Sequence, residues 1–161
     1  MTSPSKKKGA QYFRANVGAV ILNSEGLVLA FERADVPGAW QMPQGGLEQA
    51  EEPLDAVRRE VKEETGIPEK NLDLVADLRP LLVYELPPQY RNEKTGRGQV
   101  QHWFLFRFKG DERVIRPDKK EFKDWKWMPL VTLADETVVF RKEVYAELAR
   151  RVAQKLSSGD G

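Results

Sequence analysis

The chain has 161 residues, of which 40% are hydrophobic and 32% are charged, the balance of one folded domain rather than a disordered chain. Its 26 lysines and arginines nearly match its 25 aspartates and glutamates, so an anionic ligand must be held by a local arrangement of charges. The absence of cysteine and the single histidine, His102, exclude a disulfide framework, a thiol nucleophile and a histidine-rich zinc site.

Both ends of the chain are predicted to be flexible tails, at residues 1–11 and 157–161, around a single domain at 12–156. The basic N-terminus has no apolar run behind it, and no segment approaches the roughly 20 apolar residues of a membrane span. The sequence therefore predicts a cytoplasmic protein with no membrane association.

Short apolar segments predict the strands of a sheet. Val17–Leu22 and Leu27–Glu32 flank Asn-Ser-Glu-Gly at 23–26, which is typical of a hairpin turn. Apolar side chains alternate on both faces of segment 101–108, so both faces of that strand should be covered. The remaining strands are predicted at 72–78, 81–86 and 125–127.

Two segments have the apolar periodicity of amphipathic helices. Pro53–Thr65 begins with a proline suited to a first turn and is followed by Gly66, a common C-terminal cap. Phe140–Leu156 places four aliphatic residues at intervals of four. Helices at two places around central strands predict an α/β fold with a mixed sheet between helices.

The first predicted helix carries an acidic face. Glu60, Glu63 and Glu64 are three and four residues apart, so they lie on neighbouring turns. Three adjacent carboxylates repel one another unless a positive group lies among them, and Mg²⁺ or Mn²⁺ suits such oxygen ligands. Taken alone, the pattern favours a solvated acidic face in which Arg59 pairs with Glu63.

The wider context of the acidic face favours the metal site. The pattern G-x5-E-x7-R-E-U-x-E-E-x-G-U, with U aliphatic, is matched at every fixed position by Gly45, Glu51, Arg59, Glu60, Val61, Glu63, Glu64, Gly66 and Ile67. The chain thus resembles the Nudix hydrolases. The resemblance implies an α/β/α sandwich with a central mixed sheet, and hydrolysis of a nucleoside diphosphate linked to another group.

The resemblance also assigns roles to individual residues. It implies that Mg²⁺, with Mn²⁺ as a possible substitute, is held by the Gly46 carbonyl and by carboxylates of Glu60, Glu63, Glu64 and Glu121. The catalytic group then comprises Arg59 together with the three helix glutamates. Glu51 is placed to pair with Arg59, which would fix the loop onto the helix.

Segments outside this pattern resemble bacterial RNA pyrophosphohydrolases and plant-type diadenosine tetraphosphate hydrolases, from about Tyr12 to Val152. These segments are R-A-N-V-G at 14–18, W-Q-M-P-Q-G-G at 40–46, Q-V-Q-H-W-F at 99–104, E-F-K-D-W-K-W at 121–127 and V-V-F-R-K-E-V-Y at 138–145.

The same resemblance implies a set of substrate contacts. Arg14 and Arg33 are expected to grip phosphates, because a guanidinium fork matches phosphate oxygens. Gln44 is assigned to the same site. Tyr84 and Phe140 are expected either to stack on a base or simply to belong to the core.

The expected reaction is Mg²⁺-dependent attack of water on a phosphorus. The substrate is a nucleotide polyphosphate or an RNA 5′ end: triphosphorylated RNA would release pyrophosphate, and diadenosine tetraphosphate would give ATP and AMP. A nucleoside diphosphate sugar or another nucleotide is an alternative substrate. A non-catalytic nucleotide-sensing module is disfavoured, because it would be expected to lack some of the carboxylates. The polar loop 87–98 either closes over a polyphosphate, or lies along an RNA backbone, or is an ordinary solvent-exposed loop of mixed charge, and the last interpretation is favoured.

Overall fold

A computed structural model describes residues 12–93 and 95–158. The predicted tail at 1–11 and the last three residues of the predicted tail at 157–161 lie outside the described residues. None of the helices within the described ranges is long and apolar enough to cross a membrane.

The described residues form one sheet of eight strands. The strands are β1 Phe13–Leu22, β2 Val28–Arg33, β3 Trp40–Gln41, β4 Gln44–Gly46, β5 Leu72–Asp77, β6 Leu82–Glu85, β7 Gly98–Phe108 and β8 Phe122–Met128. β1 and β7 run parallel at its centre over ten paired residues, from Phe13 with Gly98 to Leu22 with Arg107. All other pairings are antiparallel, so the sheet is mixed, as the sequence predicts.

Helices cover both faces of the sheet. The helices are α1 Pro53–Thr65, α2 Leu130–Glu136 and α3 Val139–Ser158. Val57 and Val61 of α1 are fully buried with Phe104 and Phe106 on one face, while Val144 and other residues of α3 pack with the opposite face. The α/β/α arrangement is therefore confirmed, and β7 is covered on both sides.

Local sequence signals account for most element bounds. α1 has the predicted limits, with Pro53 in its first turn and Gly66 as a left-handed cap at φ 81°. The predicted second helix is α3, which runs to Ser158 and so includes two residues assigned to a tail. Leu156, expected in its apolar stripe, is 40% exposed.

The sequence prediction omitted three short elements, β3, β4 and α2. β4 contains two glycines, which have little intrinsic preference for strands. Its conformation comes from pairing with β1, where Gly46 lies opposite Asn16 and Gly45 opposite Val17. This pairing places the glycine pair beside α1.

Candidate active site

The strand order of the sheet brings the predicted site residues to one edge. Because β1 and β7 are parallel, both begin there, and β6 ends beside the start of β7. β2 ends at the same edge, where Arg33 lies opposite Phe122 at the start of β8. The order of elements along this edge is β6, β7, β1 with β4, then β2 and β8.

Arg59 connects the β4 region to α1. Its Nε and Nη2 donate to the two carboxylate oxygens of Glu51 at 2.8 and 2.9 Å, and Nη2 also donates to the Gly46 carbonyl at 3.0 Å. Its Nη1 donates to Glu60 at 3.0 Å and to Glu63 at 3.3 Å. The hydrogen bond with Glu51 raises the pKa of Arg59, and the guanidinium lowers the pKa of Glu51 to about 2. Arg59 thus fixes the loop to the helix through a charge-assisted pair.

Gly45 makes room for the carboxylate of Glu60. A Cβ atom at position 45 would lie 2.1 Å from Glu60 Cδ and 2.2 Å from its Oε1. No side chain can therefore occupy this position unless Glu60 moves. Glycine is therefore required at position 45 because it leaves space for the Glu60 carboxylate, and not because of a turn.

Glu64 is a buried carboxyl group with an unsatisfied oxygen. Its Oε1 has no hydrogen-bond partner among the described residues. Burial, followed by the negative charge of Glu60, a shared hydrogen bond with Glu60 and the charges of Glu121 and Asp118, raises the pKa of Glu64 to about 10. Burial also raises the pKa of Glu60, against the opposing effect of Arg59. Without a cation, Glu64 therefore holds a proton at neutral pH.

The residues fit a hard divalent cation, although they do not enclose one. Within residues 12–93 and 95–158, no group of three or more acidic or histidine side chains is arranged to hold a metal ion. The orphaned oxygen of Glu64 and the mutual repulsion of Glu60, Glu64 and Glu121 are nevertheless what a cation relieves. Glu63 is 58% exposed and paired with Arg59, and the Gly46 carbonyl retains one lone pair beside its bond from Arg59.

The loop before β8 brings Glu121 towards α1. Asp118 Oδ1 accepts hydrogen bonds from the backbone N–H groups of Lys120, Glu121 and Phe122 at 3.0, 2.8 and 3.3 Å. The Asp118 N–H donates to the Glu64 carbonyl at 3.1 Å, and the Ala34 N–H donates to the Glu121 carbonyl at 2.8 Å. Sequence reasoning missed Asp118, although an aspartate shortly before a strand, here four residues before Phe122, is a known turn signal.

The two arginines predicted to grip phosphates lie around the same acidic centre. Arg33 donates to Asp35 and to Gln41, and the charges of Glu121 and Glu64 add to the effect of Asp35 in raising its pKa. Arg14 is exposed, and its Nη2 is 3.4 Å from where a Cβ of Gly46 would stand. Arg33 therefore lies beside the acidic centre, and Arg14 lies beside Gly46.

The predicted aromatic pair lies together on the β6 side of the edge. The rings of Tyr84 and Phe140 have centroids 5.7 Å apart, and Tyr90, which the sequence prediction did not include, lies 6.2 Å from Phe140. Tyr84 is buried and donates to Gln99 at 2.9 Å, whereas Phe140 is half-buried and Tyr90 is exposed. A cleft of about 350 Å³ adjoins Tyr84 and Phe140. Phe140 and Tyr90 thus offer more ring surface to a ligand than Tyr84 does.

A chain of carboxamides links the aromatic cleft to β4. Gln101 donates to Asn16, Gln44 and Gln99 at 3.1, 3.4 and 2.9 Å, and Gln44 donates to Gln99 at 3.3 Å. The structure therefore places Gln44 within a polar network rather than as an isolated substrate contact. Its partners on β7, Gln99 and Gln101, belong to the motif Q-V-Q-H-W-F at 99–104, but the sequence prediction did not assign them to the site.

The two arginines of the 87–98 loop form ion pairs within the protein. Arg91 and Arg97 both pair with Glu85 at 3.2 Å, and the adjoining Arg79 pairs with Asp77 at 3.1 Å. Lys94 lies outside the described residues. These pairings favour the interpretation as an ordinary surface loop.

Comparison with known proteins places the chain in a family. The model of the NUDIX domain matches residues 12–148. The chain therefore belongs to the Nudix family, whose hydrolases generally use divalent metal ions, and the predicted class of phosphoanhydride hydrolase is confirmed.

Individual relatives extend this assignment. An RNA pyrophosphohydrolase of Cereibacter sphaeroides is 42% identical over 146 residues, covering 87% of this chain and 90% of the relative. Nudix hydrolase 26 of Arabidopsis thaliana, a chloroplast protein, is 36% identical over 155 residues, covering 89% and 71%. A solved binary complex of a C. elegans Ap4A hydrolase has a TM-score of 0.66 at 23% identity, covering 90% and 96%, which supports the shared fold.

Proposed function

We propose that this chain is a Mg²⁺-dependent pyrophosphohydrolase that converts 5′-triphosphorylated RNA ends into 5′-monophosphorylated ends. The single observation that carries the proposal is the acidic centre of Glu60, Glu64 and Glu121, flanked by two arginines at one edge of the sheet. The 42% identity to an RNA pyrophosphohydrolase over most of both chains supports the choice of substrate.

The carboxylates would hold the cation, which supplies polarisation of the phosphate oxygens when bound. Glu60, Glu63 and Glu64 of α1 and Glu121 of the loop before β8 would supply its carboxylate ligands. The carbonyl of Gly46 would provide a further oxygen. Glu64 would lose its proton on binding, because a protonated carboxyl is a poor ligand.

The remaining groups orient the substrate and the attacking water. Arg14 and Arg33 bind non-bridging phosphate oxygens and so hold the phosphorus in line with the water. One of the helix glutamates accepts the proton of that water. Arg59 keeps Glu60 in place and contacts Glu63, so it supports the catalytic group through their positions.

Diadenosine tetraphosphate is a second candidate substrate. It is favoured by the cleft beside Tyr84 and Phe140, because aromatic rings stack on a base with little dependence on its identity. The same centre would then release ATP and AMP.

A side-by-side assay with Mg²⁺ tests both candidates. Triphosphorylated RNA and diadenosine tetraphosphate are supplied to the wild type and to Glu60→Gln and Glu64→Gln, with products resolved. Both substitutions should lower kcat by at least about a hundredfold while circular dichroism stays unchanged. Glu52→Gln is the matched control, since Glu52 is exposed at the start of α1 and makes no capping bond. Near-normal turnover in both variants would refute the assignment.

A further inference from the structure

Two adjoining clefts beside the C-terminal end of α1 carry an excess of positive charge. One, of about 510 Å³, is lined by Gly66, Pro68, Lys70, Asp111, Arg113, Val114 and Arg116. The other, of about 410 Å³, is lined by Ile115, Arg116, Pro117, Lys119, Lys123, Asp124 and Trp125. Arg116 belongs to both, so the clefts form one surface. We call Lys70, Arg113, Arg116, Lys119, Lys123 and Trp125 the cationic flank.

The cationic flank begins at the acidic centre. The Arg116 N–H donates to the Thr65 carbonyl at 2.7 Å, and the Asp118 N–H donates to the Glu64 carbonyl at 3.1 Å. Segment 113–123, which carries four of the five cations, is therefore bound to the last turn of the helix that carries the carboxylates. Lys119 and Lys123 lie in and beside the start of β8, Lys70 and Arg113 lie near the start of β5 and the end of β7, and Tyr84 with the aromatic cleft lies on the β6 side.

The positive charge of the flank is largely available to a ligand. Arg116 and Lys119 are exposed, and neither forms an ion pair within the described ranges. Lys123 approaches Glu32 only to 3.8 Å, and only Arg113 is closely paired, with Asp111. Five cations against two carboxylates in the two linings contrast with a net charge of +1 for the whole chain. Such local excess attracts a polyanion despite the neutral balance of the protein.

An aromatic side chain stands among these cations. Trp125 is half-buried and lines the same cleft as Lys119 and Lys123. A positively charged groove combined with an aromatic ring is the arrangement by which proteins hold single-stranded nucleic acid, since the cations follow the backbone and the ring stacks on a base.

We propose that the cationic flank binds the single-stranded RNA chain that follows the 5′ phosphates. The inference rests on the proposed function, because it assigns a path to the rest of that substrate. Two successive clefts and five cations exceed what the second nucleoside of a dinucleoside polyphosphate needs, since that nucleoside carries no further phosphate. The flank therefore distinguishes long RNA from small nucleotides at one shared acidic centre.

Matched double variants separate this role from a general change of charge. The test variant is Arg116→Gln with Lys119→Asn. Residue 119 has φ 70°, in the left-handed region, and asparagine is chosen because it tolerates that backbone conformation. The control is Arg150→Gln with Lys155→Gln, two exposed positions on α3 across the sheet. Both variants lose two positive charges.

The first readout is the dependence of KM on RNA length. For a triphosphorylated RNA of about 15 nucleotides, the test variant should show a KM raised on the order of tenfold with kcat unchanged. Its KM for a triphosphorylated dinucleotide should match the wild type. The slope of log KM against log salt for the long RNA should fall by about 1.4, which corresponds to two lost phosphate contacts on a single strand. A test variant that behaves like the control on long RNA would overturn the proposal.

The second readout is binding without turnover. Fluorescence anisotropy of a labelled 5′-hydroxyl RNA should show weaker binding to the test variant than to the control, and inorganic polyphosphate of equal charge should bind the wild type more weakly than RNA. If the wild type binds this RNA through the flank yet hydrolyses no triphosphorylated RNA, the proposed function fails while the surface stands. No binding by the wild type, or equal binding of polyphosphate, would refute the surface as an RNA site.

Discussion

Substitution of Gly45 by alanine tests whether the position of the Glu60 carboxylate matters for metal binding. The added Cβ would lie 2.1 Å from Glu60 Cδ, whereas carbon atoms in contact are separated by about 3.5 Å or more. The Glu60 carboxylate must therefore shift by more than an ångström, away from the position in which Arg59 holds it at 3.0 Å. Gly46→Ala is the contrasting change, because its Cβ meets Arg14 Nη2 at 3.4 Å and the Ala15 carbonyl oxygen at 4.0 Å, both without a clash.

We expect Gly45→Ala to weaken binding of Mn²⁺ or Mg²⁺ by about 10- to 100-fold, the range seen when groups that orient a metal ligand are disturbed. This corresponds to roughly 1.4 to 2.7 kcal/mol. Isothermal titration gives the affinity, and kcat should fall with it. Thermal denaturation of the metal-free protein should change little, because the displaced group is a partly exposed side chain. Gly46→Ala should lose far less affinity.

Two results would refute this reasoning. Affinity of Gly45→Ala within about twofold of the wild type would show that Glu60 binds no metal from this position. An equal loss in both glycine variants would show that the backbone of β4, rather than the Glu60 side chain, is what alanine disturbs.

Three further predictions concern other parts of the site and core. Arg59→Lys should lower kcat/KM at least about tenfold, since lysine cannot reproduce the bidentate bond to Glu51; unchanged kinetics would contradict this. The pKa of Glu64 rises from 4.5 to about 10 in the metal-free fold. The free energy of unfolding, measured in chelator, should therefore fall as the pH rises between these two values. For the same reason, metal binding near neutral pH should release a proton. Urea denaturation and titration calorimetry in buffers of different ionisation enthalpy measure these effects, and a stability that rises with pH would disprove the assignment. Tyr145→Phe removes the hydroxyl that accepts a 2.9 Å hydrogen bond from the buried Met42 N–H. Urea denaturation should therefore show a free energy of unfolding lower by about 1–3 kcal/mol, and a variant as stable as the wild type would count against this expectation.

The sequence predicted those parts of the molecule that local signals determine. The limits of α1 follow from Pro53 and Gly66, and helical spacing alone brings Glu60 and Glu64 to one face. The family resemblance added Glu121. Asp118 carries a local turn signal, but the three backbone hydrogen bonds by which it fixes the loop of Glu121 were not predicted.

Long-range pairing explains what the sequence could not show. The 87–98 loop looked cationic in the sequence, yet Arg91 and Arg97 turn to Glu85, which lies on a neighbouring strand. The positive charge available to a ligand lies instead at Arg116 and Lys119. Which charges remain unpaired depends on tertiary contacts, and spacing along the chain does not reveal them.

The parallel pairing of β1 with β7 has a consequence for how the protein is made. Phe13 pairs with Gly98, so β1 cannot pair with β7 during synthesis until about 85 further residues have been added. The whole of α1 lies within that crossover. Chain closure over such a distance is entropically costly and slows folding. The acidic centre therefore assembles late, after the ribosome has released β7, and a nascent chain that stops short of Gly98 has no partner for β1 on that side.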